Sequence, residues 1–479
     1  MKRSIMFFGL SLIVAKTVSA DDAVLIGGGY NLHGSQGQIE LNVNWVQDVL
    51  QSKGMKVETY FTDGSEAGAD IYYQLPPDEQ TSALEPLARV FANRVREARR
   101  YRENNIANLS GSTRRPDLEP ALDNIIDRTA DSDLLLVYNG HGGQSMSTPD
   151  HVTMELWDNT RLSANELHSM LEPRSAPFRF VFAQCYSGGF HRLAYDNPTN
   201  GLALSDAPRC GFTAESAYRL AEGCSASIET DDYRDYTTFF FAALSGFERD
   251  GEIIGRDPDI NSDGQTTLRE AHLFTVQEAY STDLSRSTSE DYLMRWQPWY
   301  LRWLPVHKNL PNNQFAKMYR ELAARYGIAL DSSAVKQIRQ KLAQSHAEYD
   351  DTMAQSESLN YQIHELQFEL QRGLSEQWPA ILGPYTGAFQ KLAASGQLNG
   401  IAADLAQTSE YQQLVDLQHQ KAVLDETLLD RERMATQFQK LIHLRHLATV
   451  EQQLFEYGSA QEQDGYRSLV SCEDVALLD

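Results

Sequence analysis

Leu134-Leu135-Leu136-Val137-Tyr138-Asn139-Gly140-His141-Gly142-Gly143 is an apolar run that breaks into glycines around one histidine. A second run, Phe178 to Ala183, breaks in the same way into Gln184-Cys185-Tyr186-Ser187-Gly188-Gly189. Short, continuous apolar runs that stop at turn residues read as strands buried on both faces. Strands of that kind belong to parallel sheets covered by helices.

The flanking sequence extends the pattern. Val24-Leu25-Ile26 runs into Gly27-Gly28-Gly29, a strand ending in a turn. Ile39, Val43, Val46, Val49 and Leu50 then recur at helical spacing, and Val57 to Phe61 reads as a second strand. Strand, helix, strand in this order predicts a right-handed parallel crossover. Further helices are expected over 84–99, 121–129, 164–171 and 236–244, a small hairpin over 154–162, and a strand from Gly211. The segment 101–116 is polar and reads as an exposed loop. Its closing Arg114-Arg115 pair is a candidate self-processing site. The fold class is therefore α/β, with a mainly parallel sheet flanked by helices.

Past residue 305 the strands vanish. Val335, Ile338, Leu342, Ser345, Tyr349, Thr352, Ser356, Leu359, Ile363, Leu366 and Leu370 recur at spacings of three and four, as in a helical seam with polar interruptions. Gly373, Pro379, Gly383 and Pro384 end it, and a second long helix is expected over 409–457. The pair suggests an antiparallel helical hairpin, with self-association through an intermolecular coiled coil as the competing reading. The chain thus divides into 1–20, 21–305 and 306–479.

Residues 1–20 have the form of a cleaved leader. Lys2 and Arg3 precede an apolar core, and Val18-Ser19-Ala20 offers small residues for cleavage. The core is short of the roughly 20 apolar residues a membrane span needs. Periplasm or medium is the expected location. The formal charge of −24 argues against nucleic acid and anionic membranes as partners, and for basic peptides and cations. In an oxidising compartment Cys210 and Cys224 are candidate disulfide partners, because so short a loop closes easily. Two free buried thiols are the alternative. Cys185 is then free or paired with distant Cys472.

Ligands of a parallel sheet gather at the carboxyl ends of its strands. His141 and Cys185 both sit there, among glycines that let a substrate backbone approach. A thiol needs a base to become a nucleophile near neutral pH, and imidazole is one. His151, His168 and His191 are rival bases, but none has a strand-end glycine setting.

The joint pattern of strand–Gly-His-Gly and strand–Cys-x-Ser-Gly resembles the caspase-hemoglobinase superfamily of caspases, metacaspases, legumains and gingipains over residues 24–305. The resemblance implies a Cys185–His141 dyad that cleaves polypeptides, with the amides of Gly142 and Cys185 as the oxyanion site. Asn139 is a further candidate for orienting the imidazole. The resemblance also implies that Asp235, in a stretch similar to the Asp-Trp-Tyr-Ser of legumains, lines the S1 pocket, with Asp231 and Asp232 beside it. An acidic pocket favours Arg, Lys or Asn at P1, although a solvated acidic loop explains the same residues. An acyl-enzyme of this kind could also join peptides, as some legumains do. A catalytically inactive exported scaffold working through its helical hairpin is the non-enzymatic alternative.

Asp259-Ile260-Asn261-Ser262-Asp263-Gly264-Gln265-Thr266-Thr267-Leu268-Arg269-Glu270 matches the EF-hand loop. Asp259, Asn261, Asp263, the Gln265 carbonyl, Thr267 and Glu270 fall on its ligand positions, with Gly264 at the sharp turn. One Ca²⁺ is the expected cofactor, and no organic cofactor is indicated.

Overall fold

A computed structural model describes residues 22–74, 83–91, 99–145, 151–197, 201–301, 310–383 and 386–477. The leader at 1–20 and the boundary near 305 lie outside these residues. The chain begins with β1 (Asp22–Gly28), α1 (Gly37–Ser52), β2 (Lys56–Phe61), β3 (Ile71–Gln74), α2 (Glu85–Phe91), β4 (Arg99–Arg102) and β5 (Leu109–Gly111). It continues through α3 (Arg115–Arg128), β6 (Leu134–Gly140), β7 (Gly142–Gln144), β8 (Val152–Leu156), β9 (Thr160–Ser163), α4 (Ala164–Leu171) and β10 (Phe178–Phe182). Then come β11 (Arg209–Thr213), α5 (Tyr236–Ser245), α6 (Leu268–Glu278), β12 (Arg286–Ser287) and α7 (Thr288–Trp296).

The main sheet has seven strands in the order β12-β11-β10-β6-β1-β2-β5. All neighbours pair in parallel except β11 with β12. Every residue of β6 and β10 is buried, as apolar runs covered on both faces require. Alternate side chains serve the two faces. Leu25, Leu135, Val137, Val181 and Phe212 pack with α1, α5 and α6. Val24, Ile26, Leu136, Tyr138, Phe180 and Phe182 pack with α3, α4 and the β8–β9 hairpin. Ser163 and Glu166 form a reciprocal capping box that starts α4 where the sequence predicts it.

The expected loop over 101–116 is a correction. Its ends form β4, antiparallel to β3, and β5, which extends the sheet beside β2. Leu109-Ser110-Gly111 is too short for periodicity to reveal. Nor is the arginine pair loose. Arg114 binds Glu66 and Asp158, each at 2.6 Å, and Arg115 opens α3 with Glu119 at 2.9 Å and Glu166 at 2.7 Å. Both guanidiniums are engaged, which speaks against a self-processing site.

The helical region comprises α8 (Gln314–Arg325), α9 (Ala334–Gln377), α10 (Gly387–Ala394), α11 (Gln397–Ala406), α12 (Ser409–Tyr457) and α13 (Ala460–Glu473). The two long helices pack on each other within the chain. Ile338, Ser345, Ser356, Ile363 and Leu366 of the seam are buried, and Ser356 donates to Asp425 across it at 3.0 Å. The far end of this hairpin packs on Leu87 and Val90 of α2. Its near end shares one apolar core with the sheet edge: Phe438, Leu441, Leu444 and Leu469 lie with Cys210, Leu273, Tyr292 and Trp296. No described helix is long and apolar enough to cross a membrane.

The disulfide expectation is corrected here. Cys210 of β11 is bonded to Cys472 of α13, not to Cys224. Cys210 points from the sheet edge into the core shared with the helical region, where Cys472 is the thiol in reach. Cys224 is free, as is Cys185.

Candidate active site

His141 follows the end of β6, and one neighbouring loop fixes its ring. Nε2 lies 2.8 Å from the Gly34 carbonyl and 2.9 Å from Gln36 Oε1, both in the β1–α1 connection. A carbonyl can only accept, so Nε2 carries the proton and Nδ1 presents a lone pair. Tyr30 meets the ring edge-on, with centroids 5.4 Å apart. Burial pulls the imidazole below its usual pKa, against a smaller opposing effect of the Gly34 carbonyl. Asn139 does not orient it; its amide donates to Thr237 Oγ1 at 2.6 Å.

Cys185 lies three residues past β10. Its Sγ accepts the Ala221 amide at 3.4 Å and sits 4.0 Å from the Ala221 carbonyl. Burial pushes the thiol pKa up, and buried Asp283 and Glu215 add to this. Burial thus disfavours the charged form of both the Cys185 thiol and the His141 imidazole. The rest of the Cys-x-Ser-Gly motif anchors the turn. Ser187 Oγ accepts the Glu215 amide at 3.1 Å. A Cβ on Gly188 would stand 2.8 Å from the Glu215 carbonyl, so only glycine fits. Tyr186 adopts a left-handed conformation (φ 59°), and its amide donates to the Arg219 carbonyl at 2.9 Å.

The two strand ends touch at Gly142. A Cβ there would lie 2.0 Å from the Cys185 carbonyl oxygen. The Glu155 amide donates to the His141 carbonyl at 2.9 Å, which makes those residues a hydrogen-bonded pair. Ladder alternation then turns the amide of Gly142, paired with Met154, away from β8. Gly142→Ala should break this contact. Expected is a fall in the thermal midpoint, because the Cys185 carbonyl must move away from the added methyl group, read by thermal unfolding of the variant beside the wild type.

The nearest thiol to His141 is one the sequence had assigned elsewhere. Cys224 Sγ lies 3.7 Å from His141 Nδ1. Cys224 belongs to the loop after β11, the third strand end at this site. That loop is held from below by buried acids. Glu215 accepts Arg219 Nε at 3.0 Å and the Leu284 amide at 2.9 Å. Asp283 accepts the amides of Glu222 at 2.8 Å and Tyr236 at 3.1 Å. Burial raises both carboxyl pKa values. From above it is held by α12. Arg433 pairs with Glu222, and Arg219 Nη1 donates to Gln439 at 3.2 Å.

Asp235 is buried at the head of α5. It accepts from Asn42 at 2.9 Å, Gln38 at 3.2 Å and Thr238 at 2.7 Å, bridging α1 and α5. It lies behind the Cys224 loop, where a Cβ on Gly223 would come within 2.8 Å of its side chain. Asp231 and Asp232 are exposed on a short turn, and Asp231 lines a separate cavity with Tyr233, Arg249 and Arg256. His168 Nε2 donates to the Tyr195 carbonyl at 2.9 Å, and His191 is buried against Thr213 at 3.1 Å. Neither is among the residues that touch Cys185 or Cys224. His151 begins the β8 hairpin and is exposed.

In the 259–270 loop, Asp259 accepts the amides of Ser262 at 2.6 Å and Gly264 at 2.8 Å, and Gly264 takes a positive φ of 89°. Glu270 is used differently from an EF-hand ligand. Its oxygens accept the amides of Ile260 at 2.9 Å and Thr267 at 3.0 Å, the latter as a capping box that starts α6. Among the described residues no three carboxylate, His or Cys side chains are gathered as a metal site.

No family model and no curated protein matches the chain. Among solved structures, the Drosophila initiator caspase Dronc is similar over 58% of this chain and 82% of that one, with 11% identity and a TM-score of 0.29. That similarity carries no argument here. The architecture is a mainly parallel α/β sheet carrying an additional helical hairpin.

Proposed function

We propose that this chain is an exported cysteine endopeptidase that hydrolyses peptide bonds through a thioacyl-enzyme on Cys185, with His141 as general base. The observation that carries it is His141 itself, with Nε2 held by Gly34 at a strand end so that the Nδ1 lone pair faces the Cys224 thiol, while Cys185 stands at the neighbouring strand end against Gly142. In the reaction Nδ1 takes the thiol proton, Cys185 Sγ attacks the carbonyl carbon, and the Gly142 and Cys185 amides receive the oxyanion. The imidazolium then protonates the leaving amine, and water, deprotonated by the same nitrogen, releases the acid. Cys185 is preferred to Cys224 as nucleophile because its own backbone touches the oxyanion residue Gly142. Basic P1 residues are the proposed preference. The chain's own Arg219 lying on buried Glu215 is the model for such a contact.

The test is covalent labelling of the reduced full chain by a peptidyl electrophile, read by peptide mass mapping. Labelling and turnover are expected to vanish in Cys185→Ala and labelling to stay at Cys185 in Cys224→Ser. The reverse result would move the nucleophile to Cys224.

Calcium at 259–270 belongs to the same proposal. Binding needs Glu270 to exchange its amide partners for the ion. Expected is a rise in thermal midpoint of a few degrees with millimolar Ca²⁺, the range of extracellular sites, absent in Asp259→Ala. An unchanged midpoint and no heat of binding would remove calcium from the account.

A further inference from the structure

We infer that Cys185 and Cys224 form a reversible disulfide that shuts the site, so that the enzyme is active only when this pair is reduced. The inference rests on the reading of Cys185 as nucleophile. Four observations lead to it.

Two of the four cysteines are already joined, Cys210 to Cys472, in a core where they are 0% and 5% exposed. The two that remain are both free, both partly accessible, and both at one site. The loop of Cys224 runs directly over the other thiol, since Ala221, three residues before it, touches Cys185 Sγ through its amide. Finally, Cys224 Sγ lies 3.7 Å from His141 Nδ1. The base that serves Cys185 is therefore also in place to deprotonate Cys224, and thiolates rather than thiols carry out exchange.

The chemistry balances with a low-molecular-weight disulfide such as glutathione disulfide as oxidant. The Cys185 thiolate attacks one sulfur of the oxidant, forming a mixed disulfide and releasing one thiolate. His141 Nδ1 takes the proton of Cys224, whose thiolate attacks Cys185 Sγ and expels the second. One oxidant molecule is reduced to two thiols as two protein thiols become one disulfide. A dithiol reductant reverses both steps. With Sγ of Cys185 bonded to Cys224, no nucleophile remains, and the 217–224 loop is tied across the dyad.

The experiment uses the full chain incubated with glutathione disulfide over a range of concentrations. Expected are a loss of peptidase activity of at least tenfold, a disulfide linking the Cys185 and Cys224 peptides in non-reducing mass maps, and recovery with dithiothreitol. In Cys224→Ser, or Cys224→Ala should the first misfold, the same treatment should give a mixed disulfide on Cys185 and no internal link. A wild-type chain that stops at glutathionylated Cys185 with Cys224 still alkylatable would overturn the inference. So would undiminished activity in the linked form. Mass mapping needs no substrate. A linked pair in a protein that cleaves nothing when reduced would retain the disulfide and refute the peptidase reading instead.

Discussion

Deleting residues 459–479 is expected to unfold the sheet. The last helix is bonded into the first half of the chain at every level. Cys472 holds Cys210 of β11 across 262 residues. Closing a loop of that length is worth about 5–6 kcal/mol in the chain-entropy account. The Cys472 carbonyl accepts Arg179 Nε at 2.7 Å, and Arg179 in turn pairs with buried Asp133 at 2.6 Å. Glu473, 0% exposed, accepts Thr288 Oγ1 at 2.8 Å, the Ser289 amide at 2.6 Å and Arg269 at 3.0 Å, so it organises the start of α7. Val475 takes the Leu268 amide at 2.9 Å, and Leu477 enters the core beneath the sheet. Glu473→Ala alone leaves the mostly buried Arg269 with Ser289 but without its carboxylate, a change of up to about 3–5 kcal/mol. Domains are stable by only about 5–15 kcal/mol. Denaturant unfolding and limited proteolysis would measure both variants. A truncated chain that unfolds cooperatively at the wild-type midpoint would refute the expectation.

His141→Ala is expected to lower kcat/KM by about 10²–10⁴, the usual worth of a positioned general base, while leaving the fold intact. The wild-type pH profile should carry the same group. Burial holds the imidazole below 6.5. The base is competent only when neutral, so activity should fall on acidification at a pH below that value, because protonation removes the Nδ1 lone pair. Stability depends on the same group. A histidine with a lowered folded pKa takes up its proton more readily in the unfolded chain, so its contribution is complete above 6.5 and declines as pH falls towards the folded value. Gln36→Ala removes one of the two acceptors at Nε2 and should disturb orientation, with kcat falling more than KM rises. An acid limb unmoved in every respect by either change would exclude His141 as the base.

The sheet was legible because β1, β6 and β10 are uninterrupted apolar runs that end in glycine. Their ends also carry the dyad, which made His141 and Cys185 visible together. Cys224 was not visible in that role. Pairing by loop length treats Cys210 and Cys224 as neighbours, whereas Cys210 faces the core that the helical region completes. A disulfide spanning 262 residues leaves no local mark in sequence. Gly34 and Gln36 were missed for a different reason. They follow β1, whose glycine end resembles those of β6 and β10, but a backbone carbonyl and an amide side chain carry no chemical signature of their own. Asp235 was singled out as a pocket-lining acid, whereas its oxygens bridge α1 and α5. Its three hydrogen bonds to α1 and α5 could not be read from spacing.

The bond between β11 and the last helix also imposes an order of events. During synthesis the strands carrying His141 and Cys185 are complete long before Cys472 appears. Until then the edge of the sheet at β11 lacks the helices that cover it, and its apolar surface must wait in the open. The sheet-bearing half therefore matures only after the whole chain has been made, and an unfinished chain holds His141 and Cys185 without the framework that keeps them in place.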